Sequence, residues 1–466
     1  MRYKAIVIGA GPGGYVCAIR LGQLGIKSLV IDKKYVGGVC LNVGCIPTKA
    51  LIFASHIVEA NEKAKKEMGL ITTELKYDLE RLREWKEKIV NRLTNGILSL
   101  WKHNNVDFIK GEAIFESEKR VKVKTESGEI REFEGDSIVI ASGSDPTILK
   151  GFEPDGKYIW TSDDAVSLKE IPQKILILGG GAIGLEFAYV YKNFGSDVEV
   201  IELMDQILPG MDKEMAQELT KILKRKGIKI YTERRAKEVS IKNGKISLLV
   251  EFKDKEEIYE GNVLLISVGR KPNSKIEGIN KLDLKIDQKG FIKVDKKRRA
   301  NDRGIFAIGD VAEPPLLAHK ASKEGIVAAE VIAGLNSEFD PKAIPLVVYT
   351  IPEFASVGMT EEDAKAKGID ISVGRFPLVA NGRALTQNEN MGLAKIIVNK
   401  ENDEVLGVHI ISPEASSMIC EAALAIEMGA TSEDIALTVH PHPTFGEILM
   451  EAAENVYKKA IHIINK

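Results

Sequence analysis

Two of the four cysteines stand five residues apart in Cys40-Leu41-Asn42-Val43-Gly44-Cys45, which runs on through Ile46-Pro47-Thr48-Lys49 into an apolar-periodic stretch. Proline suits an early helical position, where its missing N–H costs no hydrogen bond, so Cys45 is expected near a helix N-terminus. There the positive end of the helix dipole lowers a thiol pKa and favours the thiolate that attacks disulfides or donates charge to an acceptor. Structural zinc would require a second ligand pair, and neither Cys17 nor Cys420 has a close Cys or His companion, so no metal is expected. Those two cysteines read as core residues. On spacing alone, an inert buried pair at Cys40 and Cys45 is the alternative.

A dithiol that cycles with a disulfide moves a proton with every thiolate released or consumed, so it calls for an acid/base. Of the seven histidines, His56, His103, His409 and His462 lie singly in helix or strand patterns. The segment His440-Pro441-His442-Pro443-Thr444-Phe445-Gly446-Glu447 differs, with two imidazoles on alternating positions and a carboxylate five residues after the second. A carboxylate partner orients an imidazole and raises its basicity. The pattern suits a catalytic base and a rigid turn equally.

The elements around these groups repeat. An apolar run at 4–9, a glycine turn Gly9-x-Gly11-x-x-Gly14, a helix-like stretch from Tyr15 to Gly25 and a second apolar run ending at Asp32 make a β-α-β unit. Glycines let the backbone approach a pyrophosphate, the helix N-terminus supplies N–H groups, and the terminal acid accepts hydrogen bonds from a ribose diol. The unit returns as Lys174–Leu178, Gly179-x-Gly181-x-x-Gly184, a helix to Gly195 and a strand ending at Glu202, every landmark displaced by 170 residues. Two dinucleotides are expected, which in redox chemistry most often means a flavin and a nicotinamide. Glu202 would repel a 2′-phosphate, and Leu203-Met204-Asp205 after it offers no Arg, so NAD is favoured over NADP.

Helices are expected at 45–68, 76–104 and 212–226, strands at 106–141 and 228–268, and another buried strand at 305–310. From about Pro341, strands followed by helices make a third kind of domain. The fold class is therefore α/β: two Rossmann-like dinucleotide-binding domains, 1–147 with 271–340 and 148–270, plus an α+β C-terminal dimerisation domain at 341–466. The 466 residues suit several domains, at roughly 100–200 residues each. With 65 Lys+Arg against 67 Asp+Glu there is no charge surplus to hold nucleic acid or an anionic membrane. Four cysteines are too few for a secreted disulfide framework, and no uninterrupted apolar run nears the roughly 18 residues of a membrane helix. Glycines break the apolar start that faintly imitates a signal peptide, so a cytoplasmic location is expected. The basic run Lys296–Arg299, bracketed by Asp295 and Asp302, reads as a solvated turn.

Together these residues resemble the pyridine nucleotide:disulfide oxidoreductases nearly end to end. The match is carried by Gly37 through Lys49, Gly179 through Glu186, Ala307-Ile308-Gly309-Asp310, Leu317-Ala318-His319-Lys320 and the closing His440–Glu447 segment. The resemblance implies an FAD domain with an NAD domain inserted in it, in a homodimer. It also implies a dihydrolipoamide or lipoyl-carrier dithiol as substrate, NAD as acceptor, and docking to a 2-oxo acid dehydrogenase or glycine cleavage complex. By residue, Cys40 would exchange with substrate, Cys45 would face the flavin, and His442, held by Glu447, would be the base supplied by the other subunit. Lys49 and Glu186 resemble an ion pair beside the flavin, and Asp310 a ribityl contact. Gly111, Ala113, Ser142, Gly143 and Ala318 fall on the flavin side, Gly269 and Arg270 on the NAD side, and His440 in support. Val39, Ser142 and Ala300 depart from commoner residues and change local hydrogen bonding beside FAD. Another NAD(P)H-dependent reductase of the family, or a mainly structural docking subunit, are the alternatives.

Overall fold

The computed structural model describes residues 1–73 and 75–465. It divides into two compact units, one made of Met1–Ala50, Tyr77–Thr147 and Gly269–Asp340, the other of Leu51–Lys76, Ile148–Val268 and Pro341–Lys466.

The first unit is built on a six-stranded sheet. Arg2–Ile8 lies between Ser28–Asp32 and Ile130–Ile140, parallel to both, with Ile305–Ala307 parallel to the far side of Ile130–Ile140. The strand Val106–Ser117 runs parallel to Ser28–Asp32, then turns antiparallel to Arg120–Thr125, which leads back to Ile130–Ile140. The apolar runs here are continuous because both sheet faces are covered. One core gathers Val7, Val30, Val139 and Phe306 with Cys17 and Leu21 of the helix Pro12–Gln23, and the other gathers Ile6, Ile31, Phe115 and Ile140. Asp78 caps the helix Leu79–His103 by accepting from Glu80 N and Arg81 N at 3.0 and 3.2 Å.

The second unit repeats the parallel arrangement. Its strands run Lys229–Tyr231, Asp197–Ile201, Lys174–Leu178, Val263–Ile266 and Ile159–Trp160, all parallel. A separate antiparallel sheet of five strands over 346–412 is backed by the helices Ala415–Met428 and Glu447–Val456. Residues 148–268 and 341–466 fall together in this second unit, and Leu51–Lys76 joins them. Charged clusters supply a physical reason. Lys395, with 1% of its side chain exposed, meets the buried Asp212 at 2.8 Å, Glu361 at 2.6 Å and Glu214 at 3.0 Å. On the helix Cys45–Glu67, Glu59 accepts from Tyr189 and Lys226, and Lys63 pairs with Glu389 at 2.7 Å.

By length and composition Gly38–Glu67 would also suit a membrane span, although Asn42, Lys49 and His56 interrupt its apolar residues. It breaks at Val43-Gly44, and its apolar residues Ala50, Leu51 and Ile52 are buried in the fold. Two readings differ from the structure. Cys420 is exposed, because the buried face of Ala415–Met428 runs through Ile419, Ala422 and Ile426 and leaves position 420 outside. Arg298 is not solvated: only 4% exposed, it turns inward onto Glu324 at 2.9 Å, while Lys296 stays on the surface with Asp340.

Burial opposes ionisation of Glu59, but His56, Lys226 and Tyr189 outweigh it and hold the carboxyl down to about 2 from 4.5. A depressed folded value contributes stability above the unfolded pKa that is lost as pH falls through the folded one, here between 4.5 and about 2. The contribution is roughly 3 kcal/mol. Glu59→Gln is expected to lower stability at neutral pH and flatten the acid-unfolding curve below pH 4.5. An unchanged slope in denaturant titrations across that range would contradict this.

Candidate active site

Each glycine turn is full at its ends and open in its middle. A Cβ on Gly9 would lie 2.1 Å from the Ala141 carbonyl oxygen, and one on Gly14 would lie 1.9 Å from that of Gly9. A Cβ on Gly11 would meet nothing nearer than the Gly38 Cα at 4.0 Å. In the second turn, Gly179 abuts the Ser267 carbonyl, Gly184 abuts that of Gly179, and Gly181 has nothing within 4 Å. Packing therefore accounts for the outer glycines, while the middle one opens a space where a pyrophosphate could approach the backbone. Gly11 and Gly181 cap Pro12–Gln23 and Ala182–Asn193, whose first turns hold no acidic residue to compete with an anion. The residues present fit two dinucleotides.

The terminal acids also hold these turns in shape. Asp32 accepts from Ala10 N at 2.8 Å and from Lys34 N and Tyr35 N at 2.7 and 2.9 Å. Glu202 accepts from Gly180 N at 2.6 Å and Met204 N at 2.7 Å. Pattern reading assigned these carboxylates to a ribose diol and missed this second task.

The dithiol abuts the first turn. Gly37 N donates to the Ala10 carbonyl at 2.9 Å, and a Cβ on Gly38 would lie 2.5 Å from the Gly11 Cα, so the short helix Gly38–Asn42 packs directly on the open glycine. Cys40 lies on that helix and Cys45 opens the next one. Between them a Cβ on Gly44 would lie 2.9 Å from the Val39 carbonyl. Both cysteines are in the thiol form rather than joined in a disulfide. Hydrogen bonding with Cys45 pushes the Cys40 thiol up, with burial and the charge of Cys45 adding to it, and Lys49 opposes the rise. Negative charge on the pair is thus disfavoured at Cys40. Burial alone pushes Cys17 up to about 12, as suits an inert core thiol.

Asp310 lies in the turn Gly309–Val311 after the strand Ile305–Ala307, in the same unit. It accepts from the Ser144 hydroxyl at 2.6 Å. Ser142 donates to the Asn273 carbonyl at 2.8 Å, and Ala318 opens the helix Ala318–Ile332. Gly111 begins the antiparallel part of its strand against Thr125, and the Ala113 methyl is buried among Phe115, Val121 and Val123. Gly269 and Arg270, read on the NAD side, belong to the first unit, where Arg270 donates to the Ser144 hydroxyl and carbonyl. The buried Glu186 of the second unit accepts from Tyr349 N at 3.1 Å.

In the second unit, His442 Nδ1 lies 2.8 Å from Glu447 Oε1, and Thr444 N donates to Glu447 Oε2 at 2.8 Å. Burial works against the Glu447 charge, but the Thr444 N–H and His442 hold its pKa below the usual range. An ionised carboxylate only accepts, so Nδ1 carries the proton and Nε2 is left as the basic nitrogen. In the single chain the ring is 77% exposed. Both nitrogens of His440 face acceptors, the Thr438 carbonyl at 2.8 Å and Glu421 at 3.1 Å, and the Glu421 hydrogen bond raises its pKa despite partial burial.

Two dinucleotide cradles, a dithiol against one of them and an imidazole tied to a carboxylate define a redox enzyme of thiol–disulfide chemistry. Residues 3–325 match the family model described as pyridine nucleotide-disulphide oxidoreductase, and residues 344–453 match that family's dimerisation domain. The chain belongs to the pyridine nucleotide-disulphide oxidoreductase family, and its cofactors are FAD and NAD. It is 46% identical to a dihydrolipoyl dehydrogenase of Thermus scotoductus, over 100% of this chain and 99% of that one. Identity is also 46% to a dihydrolipoyl dehydrogenase of Bacillus subtilis, over 98% and 97%. Among solved structures, LpdA from Mycobacterium tuberculosis superposes with a TM-score of 0.89 at 26% identity, covering 97% of this chain and 99% of that one.

The cradle geometry separates two substitutions. Gly14→Ala drives a methyl into the Gly9 carbonyl and is expected to lower the melting temperature and abolish flavin retention. Gly11→Ala is expected to leave the melting temperature of the apoprotein unchanged and cut only flavin retention, read as bound-flavin absorbance per chain. The opposite assignment of effects would contradict the reading of the turn.

Proposed function

We propose that this chain oxidises the dithiol of dihydrolipoamide, free or on a lipoyl carrier, to the cyclic disulfide and passes the electrons to NAD. The observation that carries the reading is the Cys40–Cys45 pair, packed against the open turn at Gly11 with the thiol proton favoured on Cys40. The full-length likeness to dihydrolipoyl dehydrogenases supports the choice of dithiol. In this reading residues 1–147 and 271–340 hold FAD, residues 148–270 hold NAD, and residues 341–466 form the interface of a homodimer. Asp32, Lys49, Gly111, Ala113, Ser142, Gly143, Asp310 and Ala318 would serve FAD, and Glu186 and Glu202 the NAD side. The enzyme works in the cytoplasm and docks on a 2-oxo acid dehydrogenase or glycine cleavage complex.

The catalytic cycle begins from the Cys40–Cys45 disulfide. His442 of the partner subunit takes a proton from the substrate dithiol, and the resulting thiolate attacks Cys40 Sγ, breaking the S–S bond and leaving Cys45 as the thiolate. The second substrate thiol then gives its proton to the departing Cys40 sulfur as its own sulfur displaces it, His442 keeps the first proton, and the substrate leaves as its disulfide two electrons poorer. Glu447 keeps the Nδ1 proton in place so that Nε2 alone exchanges protons. Near a helix N-terminus and Lys49, Cys45 is the better site for the charge. FAD, when bound, would accept the electron pair from this dithiol and deliver it to NAD as hydride, restoring the disulfide.

Dihydrolipoamide turnover with NAD is expected to exceed that with NADP by about a hundredfold, because like-charge juxtaposition at Glu202 costs several kcal/mol. Parallel steady-state assays with the two cofactors check this, and equal rates would overturn the reading of Glu202. Cys45→Ser is expected to abolish turnover, and His442→Gln to reduce kcat by about 10²–10⁴. Full dihydrolipoamide turnover in Cys45→Ser would sink the scheme.

A further inference from the structure

We propose that Arg270 is a positioning residue of the flavin site, acting through Ser144 on the carboxylate of Asp310. The proposal rests on the reading of Asp310 as a contact to the flavin's polyol chain. The chain leaves the first unit after Thr147 and re-enters it at Gly269, and the two crossings pair as short antiparallel strands, Ser144–Pro146 against Arg270–Pro272. Arg270 Nε donates to the Ser144 hydroxyl at 2.8 Å, and Nη2 donates to the Ser144 carbonyl at 2.5 Å. Ser144 is 3% exposed, and its hydroxyl lies 2.6 Å from Asp310 Oδ2.

The order of donors follows from chemistry. Guanidinium only donates, so the Ser144 oxygen must accept from it, and the single hydroxyl proton then points to Asp310. Asp310 Oδ2 is committed to that bond. Its other oxygen remains a pure acceptor whose direction is set, as a ligand hydroxyl requires. The cation at the far end polarises the chain and strengthens the Ser144–Asp310 bond in its buried setting. From the other side Glu324, fully buried, accepts from Gly309 N at 2.6 Å and fixes the backbone that carries Asp310. Arg270 and Ser144 thus act in series, and neither needs to touch the flavin.

The test is FAD binding to apoprotein, followed by fluorescence quenching, with the melting temperature of each apoprotein as the check on folding. Ser144→Ala and Arg270→Met are each expected to raise the FAD Kd about tenfold, the order sustained by one hydrogen bond to a charged group. The double variant is expected to match the single ones, because two links of one chain are lost only once. Arg270→Lys keeps the charge without the two-pronged hold, so it also weakens FAD binding and serves if Arg270→Met does not fold. Losses that multiply to about a hundredfold in the double variant, or an unchanged Kd in Ser144→Ala, would overturn the relay. Asp310→Ala separates the two readings. If it leaves the FAD Kd unchanged, the flavin contact at Asp310 falls and the relay with it, whereas a weakened Asp310→Ala beside an unchanged Ser144→Ala removes the relay alone.

Discussion

Backbone packed against backbone, with no room for a side chain, is the constraint on which the rest of this molecule depends. At Gly9, Gly14, Gly179 and Gly184 a single added carbon would lie at or within about 2.5 Å of a carbonyl oxygen. That closeness brings each helix N-terminus onto the carboxyl end of its strand and leaves the middle glycine facing open space. The same constraint places the dithiol, because Gly38 can rest on Gly11 only when Gly38 carries no side chain. Thiol chemistry and dinucleotide cradle are therefore neighbours by packing.

Carboxylates hold the turns that packing creates. Asp32 takes Ala10 N, Glu202 takes Gly180 N and Glu324 takes Gly309 N, at 2.8, 2.6 and 2.6 Å. In each case an acid from elsewhere in the chain satisfies a backbone donor of a glycine-containing turn, a pairing that is shorter and stronger than one between neutral groups. Glu447 does likewise for Thr444 N while holding His442, so a loop with no regular structure still presents a ring of defined tautomer.

Much of this was legible in the residues, for reasons that can be named. The 170-residue displacement exposed both β-α-β units because strand period, glycine spacing and terminal acid are local signals, and the elements fall where those signals lie. The cysteine pair and the His442–Glu447 pairing were visible for the same reason. What escaped was set by distant partners. Ser144 meets Arg270 across 126 positions and Asp310 across 166, and nothing in the spacing near Ser144 announces either. Arg298 looked like surface because its neighbours are basic, yet Glu324 draws it inside. Cys420 looked like core because its helix is apolar, yet the buried face passes beside it. Local pattern reports which face a residue could take, and tertiary pairing decides it.

The central claim is that one chain couples a dithiol to a flavin, so each chain stores two electron pairs. Anaerobic reductive titration of the purified protein, followed in the visible spectrum, measures this directly. The account predicts uptake of four electrons per chain, falling to two when Cys45 is replaced by Ser. Uptake of only two electrons in the unsubstituted protein, with no change on replacing Cys45, would contradict it.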